Sequence, residues 1–130
     1  MADDSSGPAA RFVGVSLDCA DPDVLADFYL KLLGGEMLWR SAGSVGIRVP
    51  GVVLAAQRVA GYRPPAWPGS SLVHLDLTPG EEMERAAARA VEAGAVLSAH
   101  QPDPRWRVLL DPAGHPFCIT TMTPPEILGG

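Results

Sequence analysis

Basic residues are the first scarcity in this sequence: Lys31 is the only lysine, beside nine scattered arginines. With a formal net charge of -5, the chain lacks the clustered cations that release counterions from a phosphate backbone, so a nucleic-acid partner is excluded. Long apolar runs are missing too. None approaches the roughly 18 residues of a membrane-crossing helix, and no membrane partner is expected. Residues 1–10 hold neither a basic start nor an apolar stretch, so they are expected to be a disordered tail and not a secretory signal, which predicts a cytoplasmic protein. Cysteine is sparse: Cys19 and Cys118 form no CxxC pair, and in a cytoplasmic chain they are expected as reduced thiols. The sequence has no glycine-rich phosphate loop and no serine at a nucleophile elbow; its glycines fall at turns and helix ends.

What the chain does have is one structural programme run twice. At 130 residues it is long enough for one hydrophobic core but not for two. Residues 11–18 alternate, with Val13, Val15 and Leu17 on one face and Gly14, Ser16 and Asp18 on the other, as a half-buried strand does. A helix follows, with Asp21 as N-cap, Pro22 as first residue, a stripe of Leu25, Phe28, Tyr29, Leu32 and Leu33, and Gly34 and Gly35 as the stop. Three strand-prone segments come next, at 36–41, 44–49 and 51–59. Residues 60–69, rich in proline and glycine, read as a linker. The second half repeats the order with a strand at 72–77, a helix from about residue 80 to 93 ending at Gly94, and strands at 96–101, 105–111 and 116–121. Residues 122–130 are expected to be a C-terminal tail.

These segments predict a single α+β domain over residues 11–121, built from two βαβββ modules at 11–59 and 70–121. One helix covers only one face of a four-stranded sheet, so the modules are expected to pair into a curved, roughly eight-stranded mixed sheet with both helices on the convex side. Strand alternation then places Val13, Val15, Leu17, Val73, Leu75 and Leu77 against the helices. Ser16, Asp18, His74 and Asp76 turn toward the concave face, a polar set that implies a wet cavity.

Two stretches carry a family likeness. Asp21-Pro22 through Phe28-Tyr29 to Leu33-Gly34 resembles the strand-to-helix entry of the vicinal-oxygen-chelate superfamily. Asp111-Pro112-Ala113-Gly114-His115-Pro116-Phe117-Cys118 resembles its closing "DPxGxxxE" hairpin. With Val73-His74-Leu75-Asp76-Leu77 the likeness spans about residues 11–121 and is nearest to the glyoxalase-like branch of a group that includes glyoxalase I, extradiol dioxygenases, fosfomycin-resistance enzymes and bleomycin-binding proteins. The resemblance implies that metal-dependent relatives take His, Gln and Glu ligands from the first and last strands of each module, leaving positions open for a bidentate substrate. His74 stands at the second module's histidine position. Its counterpart in the first module is Gly14 or Ser16, depending on register. Cys118 occupies the place of the closing glutamate, and Gln57 is the other family-type candidate, its facing open. His74 is thus the only remaining family-type ligand among these metal positions, and no resident metal is expected. Modules of this superfamily pair within a chain or across a dimer, so a homodimer is expected.

Each candidate residue has a plainer alternative. His74 beside Asp76 suits a general base or a ligand hydrogen bond, and the pair are the best catalytic candidates; a core-satisfied histidine is the alternative. Asp18 and Asp76 hold matching places that suit a cation or a donor group, or else they bond turn amides. Trp39, Trp67 and Trp106 suit stacking on a planar ligand, or core packing. Arg105 and Arg107 suit an anion, or a solvated strand face. Cys118 would be a nucleophile only with a base at hand, and the sequence places none there. His115 reads as a loop residue, and His100 has no evident partner. The expected ligand-binding set is Ser16, Asp18, Gln57, His74, Asp76, Trp106 and Cys118. The leading reading is a metal-independent protein that holds a small organic molecule in the concave cavity. The alternatives are a lyase, an isomerase or a divergent metal enzyme of the same superfamily, and a non-catalytic dimerising module.

Overall fold

The computed structural model describes residues 7–69, 73–124 and 127. The first module runs β1 (Gly14–Cys19), α1 (Pro22–Leu33), β2 (Glu36–Arg40), β3 (Ser44–Val49) and β4 (Val52–Arg58). The second repeats it as β5 (Leu75–Leu77), α2 (Met83–Ala93), β6 (Val96–Leu97), β7 (Trp106–Leu110) and β8 (Pro116–Thr120). Helix α1 has the ends its sequence dictates. Asp21 accepts from the amides of Asp23 and Val24, Pro22 opens the helix, and Gly34 closes it at φ 74°, a left-handed value that favours glycine.

The two α/β modules are as expected, and the strand pairing divides cleanly between them. The orders are β1-β4-β3-β2 and β5-β8-β7-β6. Each module therefore makes its own four-stranded mixed sheet, with the first and last strands parallel. The edge strands β1 and β5 are not hydrogen-bonded to each other. A crevice of about 390 Å³ is lined by Val15 to Asp18 on one side and Val73 to Leu75 on the other.

The modules are joined through packing. Phe28 and Tyr29 of α1 meet Phe117 of β8 with ring centroids 5.8 and 6.3 Å apart, and all three side chains are buried. Burying an aromatic side chain of this kind contributes roughly 1.5–3 kcal/mol. Tyr29 also donates a 2.6 Å hydrogen bond to the buried carboxylate of Asp111, which accepts the amides of Ala113 and His115 as well. The turn between β7 and β8 is thereby fastened to α1. Burial, reinforced by the Asp111 carboxylate, pushes the Tyr29 hydroxyl far above its ordinary range.

Several strands are shorter than the alternation predicts. Val13 and Val73 were expected against the helices, yet they are 62% and 85% exposed. Both precede the first paired residue of their strand, so the period of two no longer fixes their side. Leu72, expected in the same strand as Val73, lies outside the described residues. Strand β6 ends at Leu97 because Gln101 takes over the pairing. Its carboxamide donates to the carbonyls of Ser98 and Val108 and accepts the Val108 amide, replacing a neighbouring strand.

Candidate functional site

The ladder register decides which side chains share a face. In the second module Asp76 pairs with Cys118, Val108 with Cys118, and Trp106 with Thr120, so all five project from the face opposite α2. His74 sits two residues before Asp76 and joins them. These residues line a cavity of about 580 Å³ together with Trp67, Pro102, Met122, Thr123 and Pro124.

At one end of that cavity the polar groups converge. His74 Nδ1 lies 3.1 Å from Asp76 Oδ1 and 3.9 Å from Cys118 Sγ. The Cys118 side chain is buried while His74 and Asp76 are exposed. Burial, then the charge of Asp76 and a hydrogen bond to it, push the thiol up to about 11. An unassisted Cys118 is therefore a neutral thiol near pH 7 and a poor nucleophile. No local pattern places a base beside it; the fold brings His74 to it. Asp76, two residues further along the chain, hydrogen-bonds His74.

The remaining walls are apolar. Trp67, from the linker, donates its indole N–H to Ser98 Oγ at 3.0 Å and stands edge-on to His100, which thus has an aromatic neighbour at 6.0 Å. Arg105 pairs with Asp103 and lies 5.6 Å from the Trp106 ring, a distance suited to a cation–π contact. Arg107 is removed from the site: its side chain points to the helix face and binds Glu84 of α2. His115 is more than a loop residue, since its Nε2 donates to the Asp18 carbonyl at 2.6 Å and lies 3.3 Å from the Tyr62 hydroxyl. Val108, Thr120 and Met122 were missed as lining residues. The alternation Trp106, Val108, Leu110 carried the signal for Val108, while Met122 fell in the presumed tail.

The first module holds a related set on the corresponding face. Asp18 pairs with Gln57, and Ser16 with Ala55, so Gln57 faces the same way as Ser16 and Asp18. The rung Asp18–Gln57 matches the rung Asp76–Cys118. This settles the register: the counterpart of His74 is Ser16, and that of Cys118 is Gln57. Ser16 and Asp18 share the crevice between β1 and β5 with His74, but Gln57 lines neither cavity that His74 lines. Trp39 lies across Gly46, where a Cβ would collide with its ring at 2.3 Å, and donates to Ser44.

A family model described as glyoxalase-like domain matches residues 14–120. The chain belongs to the glyoxalase-like domain family. No curated protein matches it. Among solved structures it is similar to a glyoxalase-related enzyme from Fulvimarina pelagi, at 24% identity over 85% of this chain and 86% of that one, with a TM-score of 0.63. It is also similar to a glyoxalase/bleomycin resistance protein/dioxygenase family enzyme from Burkholderia phytofirmans PsJN, at 20% identity over 85% and 97%, TM-score 0.66. A third is a mutant of the fosfomycin resistance protein FosX from Listeria monocytogenes, complexed with Mn(II) and 1S,2S-dihydroxypropylphosphonic acid, at 14% identity over 93% and 99%, TM-score 0.70. At these identities the likeness establishes the shared fold. The oxygen-rich divalent site that the superfamily implies does not fit the residues present. Its four positions hold Ser16, Gln57, His74 and Cys118, with a thiol where the carboxylate belongs and Gln57 away from the cavities of His74.

Proposed function

We propose that this glyoxalase-like domain binds a small organic molecule on the concave face of its second module. The carrying observation is the cavity of about 580 Å³, in which Trp67, Trp106 and Val108 form apolar walls and His74 and Asp76 form a polar end. That combination of apolar enclosure and a few convergent polar groups is the usual character of a ligand pocket. A flat, partly apolar ligand with a hydrogen-bonding group matches it: its body stacks on the indoles and its polar atom reaches His74. The test is a titration of intrinsic tryptophan fluorescence with a panel of planar heteroaromatic compounds, in the presence of chelator. Trp106→Ala is expected to weaken any hit at least tenfold, whereas Trp39→Ala leaves it unchanged. Equal affinity of Trp106→Ala and the parent chain would remove the proposal.

A second reading rests on the 3.1 Å contact between His74 and Asp76. With Nδ1–H donating to the carboxylate, the imidazole keeps Nε2 unprotonated and basic, the arrangement of a general base. The reaction would then be a proton transfer within the bound molecule, of the lyase or isomerase kind. An enzyme of this type loses turnover in His74→Ala by 10²-fold or more. Full turnover in that variant would leave the binding reading alone.

A further inference from the structure

Among the described residues, His74, Asp76 and Cys118 offer a nitrogen, an oxygen and a sulfur atom that all lie within 4.8 Å of one another. Two of the separations are 3.1 and 3.9 Å. Around a tetrahedral zinc ion, with bonds of about 2.0–2.3 Å, neighbouring donor atoms stand about 3.3–3.8 Å apart. The three donors therefore need only small side-chain adjustments to share one ion. The backbones of Asp76 and Cys118 are held together as partners in the parallel ladder, and His74 lies one residue before that ladder begins.

We infer that His74, Asp76 and Cys118 form a three-donor site for a thiophilic divalent cation of the zinc type, contained in the second module alone. The donor set differs from the oxygen-rich one spread over both modules. It includes Asp76, which occupies none of the four family positions, and it gains a sulfur at Cys118. A thiolate selects zinc or cobalt over manganese or magnesium, which prefer carboxylates, carbonyls and water. Three protein donors leave the fourth tetrahedral position open, as catalytic zinc sites do and closed structural sites do not. All three donors line the cavity that Trp67 and Trp106 also line. The cation site uses the same pocket as the proposed ligand but does not depend on it, because its donors are in place without any organic molecule.

The test uses the full chain, stripped with chelator and titrated with Co²⁺ alone as a spectroscopic stand-in for Zn²⁺. One equivalent should bind with a near-ultraviolet thiolate-to-cobalt absorption, and Zn²⁺ should displace it. Cys118→Ser should abolish that band and weaken Zn²⁺ binding at least tenfold, while Cys19→Ser leaves both intact. Asp76→Asn, at an exposed position, should weaken Zn²⁺ at least tenfold even if the change at the buried Cys118 disturbs folding, which circular dichroism checks. The inference is overturned if no stoichiometric binding occurs, if the band survives Cys118→Ser, if Asp76→Asn binds as the parent does, or if Mn²⁺ binds as tightly as Zn²⁺. Failure of metal binding leaves the fluorescence titration untouched, and loss of organic ligands leaves the cobalt spectrum untouched, so the two ideas fail separately.

Discussion

The two modules share a topology but divide the labour. In the first, strands of 6, 5, 6 and 7 residues pack on a helix that buries Leu25, Phe28 and Tyr29. In the second, strands of 3, 2, 5 and 5 residues pack on a helix whose buried residues are Ala87 and Ala90. Reactive chemistry runs the other way. Equivalent rungs carry Ser16, Asp18 and Gln57 in the first module and His74, Asp76 and Cys118 in the second. One backbone plan thus yields a packing half and a chemical half by exchanging two side chains, Ser for His and Gln for Cys, around a shared aspartate. The aspartate by itself makes no site; its neighbours on the same face decide what it does.

The sharpest way to break this division is at a residue of the chemical half whose side chain packs into the core of the other half. Phe117 is fully buried and touches both α1 aromatics, so Phe117→Ala should cost about 3–5 kcal/mol. Urea unfolding should still show a single transition, because the two modules share the core cluster around Phe117. Two separated transitions would mean that the modules fold independently. The next effect belongs to the chemical half. Raising the Cys118 thiol from 9.0 to about 11 lowers its thiolate fraction at pH 8 about 100-fold. In a metal-free Cys19→Ser background, native alkylation by iodoacetamide should be slower than that of an unfolded thiol by at least this factor. Asp76→Asn should recover part of the rate, and an unchanged rate would detach Asp76 from the thiol.

Tyr29 and Asp111 test the seam between the halves. Tyr29→Phe removes a hydrogen bond to a buried carboxylate, at an expected cost of about 1–3 kcal/mol. The pH dependence has a definite sign. Because the folded hydroxyl titrates above its unfolded value of about 10, Tyr29 supports stability fully below that pH. The support is lost as pH rises past 10, where the unfolded chain binds fewer protons than the native one. Tyr29→Phe should therefore lose stability less steeply than the parent between pH 10 and 11, by up to about 1.4 kcal/mol per unit. Parallel slopes would place the hydroxyl outside the seam.

Much of this division could be read from the sequence, where local rules act without competition. Helix α1 lies between its Asp21 cap and Gly34 because capping and the glycine stop are written within a few residues of each end. The inward turn of Asp76, a paired residue of β5, follows from alternation. The meeting of His74 with Cys118 does not, because it depends on which rung of β5 pairs with which rung of β8, a long-range choice that no local pattern encodes. The partner of His115 is hidden for the same reason: its hydrogen bond to Asp18 spans 97 positions of chain. Gln101 shows a third limit, since a side chain that imitates a strand leaves the strand pattern in the sequence while ending the strand in the fold.

Alternation also overreached at the strand starts, and the smallest predicted effect tests why. Val73 and Leu75 are two residues apart and were expected to share one buried face, yet Val73 is 85% exposed and Leu75 is packed against the core. If the first paired rung marks where the period of two begins to matter, Val73→Ser and Val13→Ser should each change stability by less than about 0.5 kcal/mol. Leu75→Ser, which removes partly buried apolar surface, should cost about 1 kcal/mol or more. Urea midpoints for the three variants provide the comparison. A loss above 1 kcal/mol at Val73, with a dependence on protein concentration, would mean that a second copy covers this valine in solution and that the burial pattern of β5 is completed by association, not by the chain alone.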